Sequence, residues 1–201
     1  MTPQLLFATT NRGKLRELRG LSSGLEVLSP ADVTALPAVE ETESTLEGNA
    51  QKKALAWARA SSLVVLADDS GLFVDALQGR PGVHSARYAP GDDAARVARL
   101  LAEMRQVPDA ARTAAFRCAL CLAAPTGQCV VETGSCQGVI TREPRGTGGF
   151  GYDPVVLIPE LQRTLAELSL EEKSRISHRA RAFALLRPWM TAYRTGHWPS
   201  G

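Results

Sequence analysis

Two adjacent carboxylates, Asp68 and Asp69, follow the apolar run Leu63-Val64-Val65-Leu66-Ala67 and precede Ser70-Gly71. Neighbouring negative charges repel, so folding does not favour the pair for its own sake. A bound divalent cation relieves the repulsion and also neutralises a triphosphate. Mg²⁺ takes only one or two protein carboxylates and fills its shell with water and phosphate oxygens. The acidic stretch Glu40-Glu41-Thr42-Glu43 offers Glu40 or Glu41 as a second ligand. The bland alternative is a turn at a strand end whose aspartates accept backbone N–H groups.

Three further segments carry residue types suited to an anionic, aromatic ligand. Thr9-Thr10-Asn11-Arg12-Gly13-Lys14 lies between a strand pattern and a helix pattern, where backbone N–H groups and the helix dipole attract phosphate. It is not a P-loop, because Ala8 replaces the first glycine and Leu15 the metal-binding hydroxyl. The stretch from Arg142 to Pro154 includes Gly146, Gly148, Gly149 and Gly151, which let backbone approach a ligand. Within it Phe150 or Tyr152 can stack on a base and Asp153 can take part in binding or catalysis. Lys173, Ser177, His178 and Arg179 cluster near a helix start and supply donors for phosphate or for a carbonyl-bearing purine edge. Each segment has an ordinary reading too: a turn, a connector, a solvated helix face.

The elements that must position these residues follow from pattern. Residues 4–9 read as a buried strand, 14–21 as a helix with Leu15, Leu18 and Leu21 on one side, and 25–28 as a short strand. Residues 29–44, broken by Pro30 and Pro37, read as a loop. Thr45 starts a helix to about Ser61, with Leu46, Ala50, the Lys53 stem, Ala54 and Trp57 inward. Residues 63–67 form a central strand that Asp68-Asp69-Ser70-Gly71 terminates. Residues 92–105 are a third helix. Residues 112–124 and 129–133 form a hairpin across Pro125-Thr126-Gly127-Gln128, with 137–141 a further strand. Residues 155–158 are strand-like, and 161–168 are connector, in part helical. Ser169-Leu170-Glu171-Glu172 fits a capping box, Ser177 can cap the last helix, and Pro188 is expected to kink or end it. Strands alternating with helices, plus one hairpin, define an α/β protein with a mixed sheet.

Composition narrows the function classes. The 201 residues suit one domain or one domain of two lobes, and 44% hydrophobic with 22% charged content is that of a folded globular chain. Only the tail 198–201 lacks a periodic pattern and is expected to be disordered. With 23 basic and 21 acidic residues the net charge is +2, which excludes the field of a dedicated duplex-DNA binder. An anionic ligand must then meet local cations, and lysine occurs only at positions 14, 52, 53 and 173, inside the segments above. No apolar run is long enough to span a bilayer and no secretory pattern is present, so a cytoplasmic protein is expected. Cys118-x-x-Cys121 sits in an apolar, strand-like run without a second metal-spaced pair. With Cys129 and Cys136 it reads as a set of structural thiols.

Taken in order, these segments resemble the inosine/xanthosine triphosphate pyrophosphatase family, house-cleaning enzymes for non-standard purine nucleotides. The likeness rests on Ala8-Thr9-Thr10-Asn11-Arg12-Gly13-Lys14, on Glu41 with Gly48-Asn49-Ala50-Gln51-Lys52-Lys53-Ala54, and on Ala67-Asp68-Asp69-Ser70-Gly71-Leu72. It continues through Gly82-Val83-His84-Ser85-Ala86-Arg87-Tyr88, Gly148-Gly149-Phe150-Gly151-Tyr152-Asp153-Pro154 and Glu172-Lys173 with Ser177-His178-Arg179. Gly48 departs from the pattern where many relatives carry Glu, and Thr10 stands where a smaller residue is common.

The resemblance implies an elongated mixed sheet flanked by helices, with two lobes and the active-site cleft between them. It implies hydrolysis of ITP, dITP or XTP to monophosphate and pyrophosphate with Mg²⁺, in a homodimer. Asp69 would be catalytic, and Glu41 and Asp69 would hold the metal, with Glu40 and Asp68 as secondary candidates. Thr9, Thr10, Asn11, Arg12, Gly13, Lys14, Lys53 and Lys173 would hold phosphates, and Ser70 would contact substrate. Phe150, Gly151, Tyr152, Asp153, His178 and Arg179 would embrace the base. Two rivals remain at this level. One is a related enzyme for modified pyrimidine or methylated guanine nucleotides, which a substrate panel separates. The other is a nucleotide-binding regulator without catalysis, which the intact set Glu41, Asp68 and Asp69 disfavours.

Overall fold

The computed structural model describes residues 4–22, 25–34 and 36–195. Seven strands form one sheet in the order β2-β1-β3-β4-β5-β6-β7. In chain order they are β1 (Gln4–Ala8), β2 (Glu26–Leu28), β3 (Val64–Val74), β4 (Thr113–Ala123), β5 (Cys129–Ile140), β6 (Val156–Ile158) and β7 (Arg163–Thr164). The helices are α1 (Arg12–Leu21), α2 (Leu46–Ser61), α3 (Asp93–Glu103), α4 (Leu170–Ile176) and α5 (His178–Arg194). β1 runs parallel to β2 and β3, in register from Leu5↔Val64 to Ala8↔Ala67. Parallel neighbours need crossovers, and α1 and α2 provide them. The β5–β6 and β6–β7 pairs are antiparallel, so the sheet is mixed as expected.

Contacts divide the chain into two compact units. The first comprises Met1–Asp69, Cys118–Gly134 and Arg179–Gly201, the second Ser70–Arg117 and Ser135–His178. The first is centred on Leu5, Phe7, Leu18, Leu66, Leu120 and Phe183. The second is centred on Leu72, Leu100, Met104, Val155, Val156 and Leu165.

The local signals explain most element starts. Asn11 caps α1, Thr45 caps α2 and Asp92 caps α3, each through its side-chain oxygen. The capping box at Ser169 and Glu172 is present, and Arg163 with the Ser169 N–H pulls the Glu172 carboxyl down to about 2. The hairpin is closed by Ala124 N–H to the Gln128 carbonyl and, at its far end, Ile140 N–H to the Arg112 carbonyl.

Four expectations need correction. Asp68-Asp69-Ser70-Gly71 does not end a strand: β3 runs through it to Val74. The buried Asp68 charge is neutralised within the fold, and Gly71 admits a close approach, since a Cβ there would lie 2.2 Å from the Gly82 carbonyl oxygen. Residues 129–133 and 137–141 are one strand, β5, continuing through Gly134-Ser135-Cys136. The connector 161–168 contains β7, a two-residue edge strand too short to show a period. Of the two outcomes expected at Pro188, a kink or an end, the end does not occur: Pro188 lies inside α5, which continues to Arg194. The missing N–H costs about 3 kcal/mol, and Met190 buried in the first core, with Trp189 and Tyr193 against it, offsets that. The tail 198–201 lies outside the described residues.

Gly71→Ala is expected to destabilise the protein by more than about 2 kcal/mol in urea unfolding, because the obstacle is backbone and cannot rotate away. Gly20→Ala, where a Cβ meets nothing within 4 Å, is the control and is expected to be neutral or slightly stabilising.

Candidate active site

Consecutive side chains of a strand point to opposite faces of the sheet. Asp68 and Asp69, adjacent in β3, therefore do not chelate together, and each has its own surroundings.

Asp68 is fully buried and neutralised. Lys14 of α1 pairs with its Oδ1, and the Arg179 Nε of α5 donates to its Oδ2 at 2.8 Å. Arg179, 1% exposed, also pairs with Glu17 of α1, so two cations and two carboxylates balance. Cys118 of β4 donates its thiol to Asp68 Oδ2 at 3.1 Å. Burial alone would raise the Asp68 carboxyl, but Arg179 and Lys14 outweigh it and hold it well below the usual range. Burial and the Asp68 charge push the Cys118 thiol well up, which keeps it a donor. A carboxylate already matched by two cations has less to gain from a metal than one that is not.

Asp69 has the opposite balance. Burial, then the Glu41 carboxylate, push its carboxyl up to about 6. The Asn49 Nδ2 of α2 donates to Asp69 Oδ2 at 2.9 Å. The Asn49 Oδ1 in turn accepts the Glu43 N–H at 2.9 Å, which ties the acidic stretch to the helix. Lys53, one turn on from Asn49, reaches Glu41 Oε1 at 2.5 Å. Lys52 reaches the Thr42 hydroxyl at 2.6 Å. Glu40 is exposed. The elements that make this arrangement are β3, which carries Asp69 on a buried face, and α2, whose i, i+4 spacing sets Asn49 and Lys53 together.

The carboxylates test the expectation of a divalent cation. Among the described residues no group of three or more His, Cys, Asp and Glu side chains could hold a metal. Two carboxylates are present in Glu41 and Asp69, the first helping to raise the second, and Mg²⁺ needs no more than two when phosphate and water complete its shell. The donor set fits Mg²⁺ with a polyphosphate and does not fit an all-protein metal cage.

The phosphate-loop candidates lie at the start of α1. Asn11 Oδ1 accepts the N–H groups of Gly13 and Lys14 at 2.8 and 3.1 Å, and Thr9 Oγ1 accepts the Asn11 N–H at 3.1 Å. The expected backbone cradle at Gly13 and Lys14 is thus occupied by the Asn11 cap. Thr10, Asn11 and Arg12 are exposed, while Thr9, Gly13 and Lys14 are half-buried.

The second unit gathers the aromatic candidates. Lys173 of α4 holds Asp153 Oδ2 at 2.5 Å, with both side chains nearly buried, and lies 4.9 Å from the Phe150 ring centroid. The structure sets Lys173 with the Phe150 loop, because the buried Asp153 requires a counter-charge. Asp153 also accepts the Phe150 N–H at 2.8 Å. Gly149, at φ +72°, has no room for a Cβ, which would meet Asp153 Oδ2 at 2.1 Å. Tyr152 is buried and donates its hydroxyl to the Ser85 carbonyl at 2.9 Å, so it supports the loop and is not a stacking face. Phe150 is half-buried. His178, buried, stacks on Phe116 with centroids 4.9 Å apart. Ser70, half-buried, follows Asp69 in β3. Arg179 is committed to Asp68 and Glu17.

Three contributing residues receive no site role from the motifs. Glu17 precedes Leu18 in α1 and is drawn into its buried side, a signal visible only if a charge inside an apolar stripe is read as paired. Asn49 is signalled by its i, i+4 spacing from Lys53. Cys118 has no sequence signal beyond being an apolar-run cysteine, and none of the four cysteines is in a disulfide.

Fold and site together define a class: α/β proteins in which a carboxylate pair and helix-borne lysines suit a divalent cation and a polyphosphate. The sequence pattern of the Ham1 family matches residues 5–189, and this chain belongs to that family. It is 50% identical over 188 residues to a dITP/XTP pyrophosphatase of Geobacter sulfurreducens, covering 92% of this chain and 94% of the relative. It is 50% identical over 204 residues to a dITP/XTP pyrophosphatase of Mycobacterium bovis, covering 98% and 99%. The solved structure of a HAM1 protein from Coxiella burnetii superposes with a TM-score of 0.84 at 39% identity, covering 94% of this chain and 99% of that one.

An acid whose folded value is raised destabilises the fold once ionised. Stability should therefore fall as pH rises from the ordinary carboxyl value of 3.8 through about 6. Asp69→Asn keeps the Asn49 hydrogen bond and removes the charge. It is expected to raise the thermal midpoint of the metal-free protein at pH 8, by up to about 3 kcal/mol in stability, and to leave it unchanged at pH 4. On the other face of β3, Arg179→Met is expected to cost about 3–5 kcal/mol by stranding Asp68 and Glu17, measured by urea denaturation.

Proposed function

We propose that this protein hydrolyses ITP, dITP and XTP to the nucleoside monophosphate and pyrophosphate, removing deaminated purines from the nucleotide pool. The observation that carries the reading is the Asp69 carboxyl, raised to about 6 beside Glu41, Asn49 and Lys53, in a chain of the Ham1 family. A base works best when its pKa lies near the operating pH, and burial with a neighbouring carboxylate moves Asp69 in that direction.

In the proposed reaction a water oxygen attacks the α-phosphorus, the bond from α-phosphorus to the bridging oxygen breaks, and pyrophosphate leaves. The water's proton passes to Asp69, whose carboxylate Asn49 holds in place. Glu41 and Asp69 would hold Mg²⁺, which supplies charge neutralisation of the phosphates and a more acidic water. Lys53 and Lys14, with the side chains of Thr9 to Arg12, would bind phosphate oxygens, and Lys14 leaves its Asp68 contact to the extent that phosphate competes for it. Ser70 would contact the substrate. Phe150 would stack on the purine. Lys173 and His178 would donate to a C6 keto oxygen, which the donating amino group of adenine cannot replace without leaving polar groups unpaired. The family likeness also supports a cytoplasmic homodimer. No described helix is long and apolar enough to cross a membrane.

The decisive experiment is pyrophosphate release from ITP, dITP, XTP and the four standard ribonucleotides at equal concentration, with and without Mg²⁺. Turnover is expected for the deaminated purines only and only with the metal. It should fall as the medium is made acidic, where Asp69 takes up a proton. Asp69→Asn and Glu41→Gln are each expected to lower kcat by at least about 100-fold. Undiminished turnover by Asp69→Asn, or preference for a modified pyrimidine, would overturn the reading.

A further inference from the structure

The Phe150–Asp153 loop is fastened at two successive peptides. The Phe150 N–H is donated to Asp153 within the loop. The next N–H, that of Gly151 at φ +62°, is donated at 2.7 Å to Oδ2 of Asp93. Asp93 is the first residue of α3, and its Oδ1 holds Arg96 at 2.5 Å. Its neighbour Asp92 acts on the helix itself, since Asp92 Oδ1 accepts the Ala95 N–H at 2.9 Å and caps α3. Two adjacent aspartates thus serve different ends, one closing α3 and one reaching outward to a loop distant in sequence.

An amide in a half-exposed loop can be satisfied by water, so a carboxylate is not required for solvation alone. A charged acceptor, itself held by an arginine in the next turn of the helix, fixes the peptide plane more firmly than water does. With the N–H groups of Phe150 and Gly151 both aimed at carboxylates, the Phe150 backbone has little freedom. Its ring is then set against Lys173.

We propose that Asp93, steadied by Arg96, is a positioning residue that presets Phe150 for the purine, a role that rests on the pyrophosphatase reading above. Its loss leaves the chemistry at Asp69 intact and weakens base capture.

The test compares Asp93→Ala, Asp93→Asn and Asp92→Ala in the full chain, reading kcat and KM for ITP, thermal midpoint, and hydrogen exchange at the Gly151 amide. Asp93→Ala is expected to raise KM about 10-fold with kcat within about twofold, and to speed Gly151 exchange. Asp93→Asn, which keeps an acceptor, is expected to recover much of the loss. Asp92→Ala is expected to lower the thermal midpoint at least as much, by uncapping α3, while KM and Gly151 exchange stay unchanged. An unchanged KM in Asp93→Ala, or an equal rise in Asp92→Ala, would overturn the proposal. If the wild type releases no pyrophosphate from ITP, the functional reading fails by itself. Gly151 exchange then decides the tether: faster in Asp93→Ala alone supports it, and equal rates in both variants reject it.

Discussion

A carboxylate cannot stay ionised in the middle of a buried strand unless its charge is matched, and Asp68 is that carboxylate. Lys14 and Arg179 match it, Glu17 matches the excess, and Cys118 adds a thiol donor. Those four partners come from α1, α5 and β4, so one charge cluster fastens two helices and a strand to β3. Such clusters contribute little net stability against an apolar replacement, but breaking one member is costly. Their effect here is to fix which side of β3 each neighbour occupies.

That constraint decides the chemistry one residue later. Because strand side chains alternate, satisfying Asp68 on one face commits Asp69 to the other. There burial and a second carboxylate outweigh the nearby lysines, and the carboxyl is raised instead of lowered. Two residues of identical type, adjacent in sequence, thus acquire opposite electrostatics. The unbalanced one has a reason to accept a proton, and the balanced one has much less.

The second unit repeats the logic on a smaller scale. Asp153 is buried, so Lys173 is drawn to it, and the same lysine comes to lie near the Phe150 ring. Gly149 has no side chain because the Asp153 carboxylate occupies that space. A glycine-rich loop that would be mobile by composition is pinned by two carboxylates, a tyrosine hydroxyl and a lysine. The order of such a loop is a property of its partners, not of its own residues.

Much was legible in the sequence by itself. Periodicity and capping residues determined β1, α1, α2, α3 and the hairpin, since those signals are local and a helix start or a turn is chosen by residues within four positions. The acidic pair, the lysines and the Gly-rich loop with its aromatics also stood out as residue types that folding alone does not request. What only the tertiary structure decided was how the charges pair. Asp68 and Asp69 look alike in sequence, and their difference depends on Lys14, Arg179 and Glu17 on one face and on Asn49 and Glu41 on the other. Arg179 reads as a ligand donor in sequence and is a buried counter-ion in the fold, and Lys173 reads as a phosphate lysine and neutralises Asp153. Charge pairing acts across distances in sequence that no periodicity records, and desolvation, which sets its strength, exists only once the chain is packed.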